Sequence, residues 1–249
     1  MRDLKSLFGP ESARFIEAID QLALTKSRPN YSFMAVDSFE RALRENLNHG
    51  MRMYWNEILA RTHLTAIVAI LRSRHWISAV VTAAKDENAL AFAAAFRGLI
   101  ESSADTQHSL GGIAFTLAEN HAQIFRALSG KLDNQYLISN EMEDALIHFK
   151  YARRLTKAEM ATAPQSHKAL QVRKYIEGLE KGRVQKVISC YESLCDLTHP
   201  GASSVRMWLT SENGLDLKLN PNQDESMIAY YLKEYRNTLA ELLMFAFNP

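Results

Sequence analysis

An all-α fold, a multi-helix bundle carrying a small β-hairpin before its last helix, follows from three features of the sequence. No proline falls between Tyr31 and Ala163. An internal proline costs a helix about 3 kcal/mol, so this stretch permits long uninterrupted helices. Ala, Leu, Glu, Arg and Met fill it, and the strand-like alternation of apolar and polar residues is nearly absent. One segment departs from the pattern: Ser204 to Thr210, then Ser-Glu-Asn-Gly, then Leu215 to Leu219. Its Asn213-Gly214 pair supplies the positive φ angles of a tight hairpin turn.

The elements are predicted in order. A first helix runs from Glu11 to about Lys26 and ends at Ser27-Arg28-Pro29. Asp37 with Glu40 has the spacing of a capping box, and the helix that follows reaches about Arg72, bent near Gly50. Ser73 and Arg74 interrupt it before another helix from Trp76 to Ala84. Asp86-Glu87-Asn88 caps a helix continuing to His108. Ile113 to Leu128 is helical and closes on Gly130, since glycine tolerates the left-handed backbone that ends helices. Further helices cover Glu141 to Arg154, Gln165 to Leu179 and Arg183 to Leu197. The hairpin spans about 204–219, and it must lie against the helices because two strands alone are marginal. The final helix spans about 223–247, with a stripe through Ile228, Tyr231, Tyr235, Leu239, Leu242 and Ala246. No internal repeat or Gly/Ser/Pro-rich linker divides residues 1–249, so one helical domain is expected.

Composition narrows the classes of function. The 249 residues are 47% apolar and 23% charged, with a net charge of +1, which places the chain among ordinary globular proteins. Near-neutral charge removes the electrostatic signature of a nucleic-acid binder. The longest apolar runs, Ala66–Leu71 and Ala89–Phe96, fall short of the roughly 20 residues of a membrane span. The N-terminus has no secretory-signal pattern. Cys190 and Cys195 lie about 140° apart on a helix, too far for easy bridging or shared metal ligation. They read as inert thiols of a cytoplasmic protein. Walker A, Gly-x-Gly-x-x-Gly, His-Glu-x-x-His, Gly-x-Ser-x-Gly and Cys-x-x-Cys motifs are all missing. No metal and no cofactor is expected.

Chemistry concentrates in two places. Residues 89–100, ALAFAAAFRGLI, are apolar on every side except at Arg97, which predicts a central helix with Leu90, Phe92, Phe96, Leu99 and Ile100 buried. Arg97, Glu101, Asp105 and His108 then fall within about 80° of one another, one stripe shared with Leu90 and Ala94. Read as structure, this is an i,i+4 ion pair running out to a helix end. Read as function, a carboxylate and an imidazole face a cavity, with Arg97 holding Glu101 charged or gripping an anion. The second place is His199, just past a helix end and followed by Pro200, Ser203 and Ser204. It is either a capping histidine or a ligand at the mouth of the bundle, with Tyr191 and Cys195 on the same wall. A third cluster, Arg72, Arg74, His75 and Trp76, reads as a solvated helix junction.

Two segments carry a resemblance. FRGLIESSADTQHSL, residues 96–110, resembles the Arg-x-x-x-Glu helix of a family of bacterial all-helical proteins of unknown function. YESLCDLTHPGASS, residues 191–204, is similar to that family's later Tyr…His-Pro segment. The resemblance singles out Arg97, Glu101 and His199, implies a stress or defence setting, and brings no established activity. Helical ribonucleases of the HEPN type place an arginine four to six residues before a histidine, and this chain departs from that spacing.

The expected function is that of a cytoplasmic helical protein whose polar pocket, at Arg97, Glu101, Asp105, His108, His199 and Ser203, binds a small ligand or a partner protein. The alternative is a hydrolase or ribonuclease-like enzyme using Glu101, His108 and His199. No membrane partner is expected, nucleic acid is disfavoured, and the wide apolar stripe of the last helix predicts a homodimer.

Overall fold

The computed structural model describes residues 4–27, 30–133, 135–211 and 216–247. Its helices are α1 (Leu4–Phe8), α2 (Pro10–Lys26), α3 (Val36–Glu45), α4 (Leu47–Lys85), α5 (Ala89–Leu110), α6 (Ile113–Glu119) and α7 (His121–Leu128). They continue with α8 (Asn140–Tyr151), α9 (Val172–Lys181), α10 (Val187–Thr198), α11 (Ala202–Arg206), α12 (Asp224–Glu234) and α13 (Arg236–Phe247). Strands β1 (Leu209–Ser211) and β2 (Leu217–Leu219) form the only sheet among the described residues. The fold class is therefore all-α with a two-stranded hairpin.

The chain divides into two compact units. The first is Met1–Thr25, Ala69–Gln107 and Gln171–Pro249, and the second is Lys26–Val68 and His108–Leu170. Each is discontinuous in sequence, and α4 and α5 each contribute residues to both. Three of the four crossings fall within α2, α4 and α5 and the fourth in the short stretch before α9, so no Gly/Ser/Pro-rich linker marks the division.

The first unit is organised around α5. Phe92, Phe96, Leu99 and Ile100 are almost inaccessible, packed with Ile19, Leu179, Leu194 and Leu242 in one apolar core. Gly98 lets α4 come close: a Cβ there would lie 2.6 Å from the Trp76 ring. α5 is not buried all round, however. Leu90 is 41% exposed, and Ala94 is exposed as well. The stripe Leu90, Ala94, Arg97, Glu101 is the helix's outward side, because the larger apolar groups of the opposite face claim the core. Helix α5 starts where Asn88 Oδ1 accepts the Ala91 N–H at 2.9 Å, as its sequence predicts.

The C-terminal stripe also differs from expectation. The final helix breaks at Tyr235 into α12 and α13, and Ile228, Tyr231, Tyr235, Leu239, Leu242 and Ala246 are all buried within the first unit. These six side chains are covered inside their own chain, as is Leu243, while Leu232 and Phe245 stay half-buried; Phe247 lies among side chains outside the description. Ahead of the hairpin, residues 202–206 are helical rather than extended. The strands pair Leu209 with Leu219 and Ser211 with Leu217. Leu217 and Leu219 point to solvent, so only the hairpin's root, at Met207 and Trp208, packs on the helices. The Asn213-Gly214 turn falls outside the described residues.

In the second unit, Met51, Trp55 and Met142 form the buried centre, and Trp55 Nε1 donates to the Leu137 carbonyl at 2.9 Å. The long helix expected over 37–72 breaks at Asn46, whose side chain accepts the His49 N–H at 3.0 Å and so caps α4. Ser73 and Arg74 do not interrupt α4. One 18-residue window of α4 has the mean hydropathy of a membrane span, 1.3, although 39% of that window is buried in the protein. Charged residues along this helix pair within the fold: Arg61 with Glu57, Arg72 with Asp105, Arg74 with Asp20.

Candidate functional site

Two helices of the first unit, α5 and α10, bring together a polar cluster. Arg97 and Glu101 are one turn apart on α5, and Arg97 Nε lies 3.4 Å from Glu101 Oε1. The shorter bond to that carboxylate comes from α10, where the Tyr191 hydroxyl donates to Glu101 Oε1 at 2.9 Å. Burial raises the Tyr191 pKa above its ordinary value, and the neighbouring carboxylate of Glu101 adds to the shift. A phenol in this position stays neutral and serves as a donor.

Arg97 turns its other edge to the end of α10. Nη1 donates to Thr198 Oγ1 at 2.9 Å and lies 3.5 Å from His199 Nε2. Thr198 is the last residue of α10, and its hydroxyl donates to the Leu194 carbonyl at 2.9 Å, leaving its lone pairs to the guanidinium. A cation at this place also meets the negative end of the α10 dipole. Nη1 can only donate, so this approach is a hydrogen bond when Nε2 of the ring is the acceptor. Arg97 and Glu101 keep about a third of their side-chain surface exposed, and His199 is exposed. The cluster is thus a half-buried cation, held on two edges, with an imidazole at its solvent side.

The other predicted residues fall elsewhere. Asp105 Oδ2 accepts from Arg72 Nη2 at 2.7 Å, and the same nitrogen reaches the Ser102 carbonyl and Thr106 Oγ1. That is a structural clamp between α4 and α5. His108 belongs to the second unit, where its ring stands edge-on to His148 with centroids 5.3 Å apart. Ser203 is exposed on α11, with no hydrogen bond or ion pair to Arg97, Glu101 or His199. Its neighbour Ser204 caps that helix, accepting the Gly201 N–H at 3.2 Å. Thr198 escaped the sequence reading, although a threonine closing a helix beside His-Pro was the available signal. Cys190 is buried, and burial pushes its thiol pKa up, as befits an inert core residue; both cysteines are free. Among the described residues no group of three or more His, Cys, Asp or Glu gathers as a metal site.

No family model, curated protein or solved structure matches the chain.

Proposed function

We propose that this is a cytoplasmic ligand-binding protein of the bacterial helical type, in which Arg97 and His199 receive a small anionic group such as a phosphate or carboxylate. The observation behind the proposal is the Arg97 guanidinium. Glu101 and Thr198 hold it in one orientation, and it stays partly open to solvent beside the exposed His199 ring. A planar cation fixed in this way is preorganised for an oxyanion, and the exposed imidazole beside it is a further polar group within reach of such a ligand. The stress or defence setting rests on the family resemblance. The free thiols Cys190 and Cys195 agree with a reducing compartment.

The rival hydrolase or ribonuclease has less behind it. Of its three residues, His108 belongs to the other compact unit beside His148, while Glu101 accepts a hydrogen bond from a neutral tyrosine.

The test is titration of inorganic phosphate into the full-length chain, followed by thermal shift and imidazole NMR, with sodium chloride at matched ionic strength as control. Saturable stabilisation by phosphate, weakened at least about fivefold in Arg97→Gln and in His199→Ala, supports the proposal. An identical response to phosphate and chloride, or an unchanged response in Arg97→Gln, overturns it. Cleavage of RNA lost in Glu101→Gln would instead favour the enzyme.

A further inference from the structure

The second unit contains a cavity of about 410 Å³ that none of the Arg97-cluster residues lines. Its walls are apolar: Phe33 and Phe39 from the segment around α3, Ile58 and Leu64 from α4, Leu146 and Ile147 from α8. Preformed pockets for small molecules have volumes of about 300–1,000 Å³ and this kind of lining, with a few polar groups that set orientation. At about 30 Å³ per water-sized group, the space takes roughly a dozen non-hydrogen atoms.

The polar groups of the wall are not equivalent. Glu57 is engaged at both oxygens: Oε2 accepts the Met34 N–H at 2.9 Å, and Oε1 accepts from Arg61 Nε at 2.9 Å. Arg61 in turn lies over the Phe33 ring, 4.4 Å from its centroid, so its charge is shared between a carboxylate and an aromatic face. The Tyr54 hydroxyl accepts the Ser139 N–H at 3.0 Å and is hydrogen-bonded to Glu143. Burial first, and that carboxylate second, push its pKa up, so the phenol keeps its proton.

Lys150 is different. It is exposed, and its ammonium stands 5.0 Å from the Tyr151 ring centroid with no carboxylate bound to it among the described residues. Glu57 and Arg61 neutralise one another, and Glu143 keeps its charge while bonded to the Tyr54 phenol; Lys150, which no carboxylate among the described residues holds, is the cation left on the solvent-facing wall of an apolar cavity to meet an amphipathic anion.

We infer that the second unit binds a medium-chain carboxylate, an aliphatic acid of about a dozen non-hydrogen atoms, with its chain between α4 and α8 and its carboxylate on Lys150 Nζ. The chain displaces water from apolar walls, and the carboxylate exchanges water for an ammonium ion. This site is separate from the Arg97 cluster and stands or falls without it.

Isothermal titration of decanoate into the full-length chain tests the inference, with decylamine as the probe of opposite charge. One decanoate is expected to bind per chain. Lys150→Glu is expected to weaken it at least tenfold while improving decylamine binding. Because Lys150 is exposed, that variant keeps its fold. Ile147→Trp, checked for native circular dichroism, fills the wall and is expected to abolish binding of both probes. Absence of saturable decanoate binding to the wild type overturns the inference. So does equal decanoate binding by Lys150→Glu, or by a folded Ile147→Trp variant.

Discussion

Arg97 and Thr198 stand 101 positions apart in the chain, yet the guanidinium of one donates to the hydroxyl of the other at 2.9 Å. This bond ties the outward side of α5 to the C-terminal end of α10 and sets where His199 emerges. A half-buried hydrogen bond from a charged donor contributes about 1 kcal/mol once solvent screening is allowed for. Thr198→Val removes the acceptor without changing the shape. Thr198→Val and Arg97→Gln should each destabilise, and the double variant should cost about 1 kcal/mol less than the sum of the two. Urea denaturation of the four proteins measures this. Strict additivity would mean that the two side chains are neighbours without coupling.

Gly98 sits where α5 meets the Trp76 ring. Alanine normally improves a helix by about 1 kcal/mol over glycine. Here its methyl group would stand 2.6 Å from the indole carbons. Overpacking of that kind costs about 1–3 kcal/mol. Gly98→Ala is therefore expected to destabilise, and to become stabilising in a Trp76→Ala background where the methyl has room. A single variant as stable as the wild type would show that Trp76, 38% exposed, swings away without cost.

The two faces of α5 should differ sharply in mutational cost. Phe96 is 1% exposed and meets Phe92 edge-on, centroids 5.8 Å apart. Phe96→Ala should cost about 3–5 kcal/mol, as large core truncations do. Leu90→Ala, on the outward face, should fall within about 0.5 kcal/mol of the wild type. Similar losses at both positions, measured by chemical denaturation, would contradict the orientation of the helix.

What was legible in the sequence is what depends on neighbours along the chain. The i,i+4 pair Arg97–Glu101 and the Asn88 cap need only helical geometry. The position of His199 needs only Pro200 to end a helix. Misreadings arose where long-range packing decides. Leu90 is as apolar as Leu99, and only the choice of face separates them. Asp105 shares a stripe with Glu101, yet Arg72 from another helix takes it. The cavity was invisible for the same reason: Phe39, Ile58 and Leu146 each sit in an ordinary amphipathic stretch, and three segments must assemble before a space exists.

The last prediction concerns a pH-sensitive turn in the second unit. Glu159 accepts from Arg153 Nη1 and Nη2 at 3.0 and 2.6 Å, and from the Thr156 N–H and hydroxyl at 2.9 Å each. These bonds, the Arg153 pair above all, lower its pKa from an ordinary 4.5 to about 2. A depressed carboxylate stabilises the folded turn fully above its unfolded pKa, and the contribution is lost as pH falls through the folded value. The window thus runs from about 4.5 down to about 2. Native-state hydrogen exchange at the Thr156 amide reads this locally, because that N–H donates to Glu159. In the wild type its protection relative to neighbouring amides should hold near neutrality and decline through the window. In Glu159→Ala it should be low at every pH. Protection that survives the substitution, or that does not change with acidification through the window, would assign the turn's order to its backbone bonds alone.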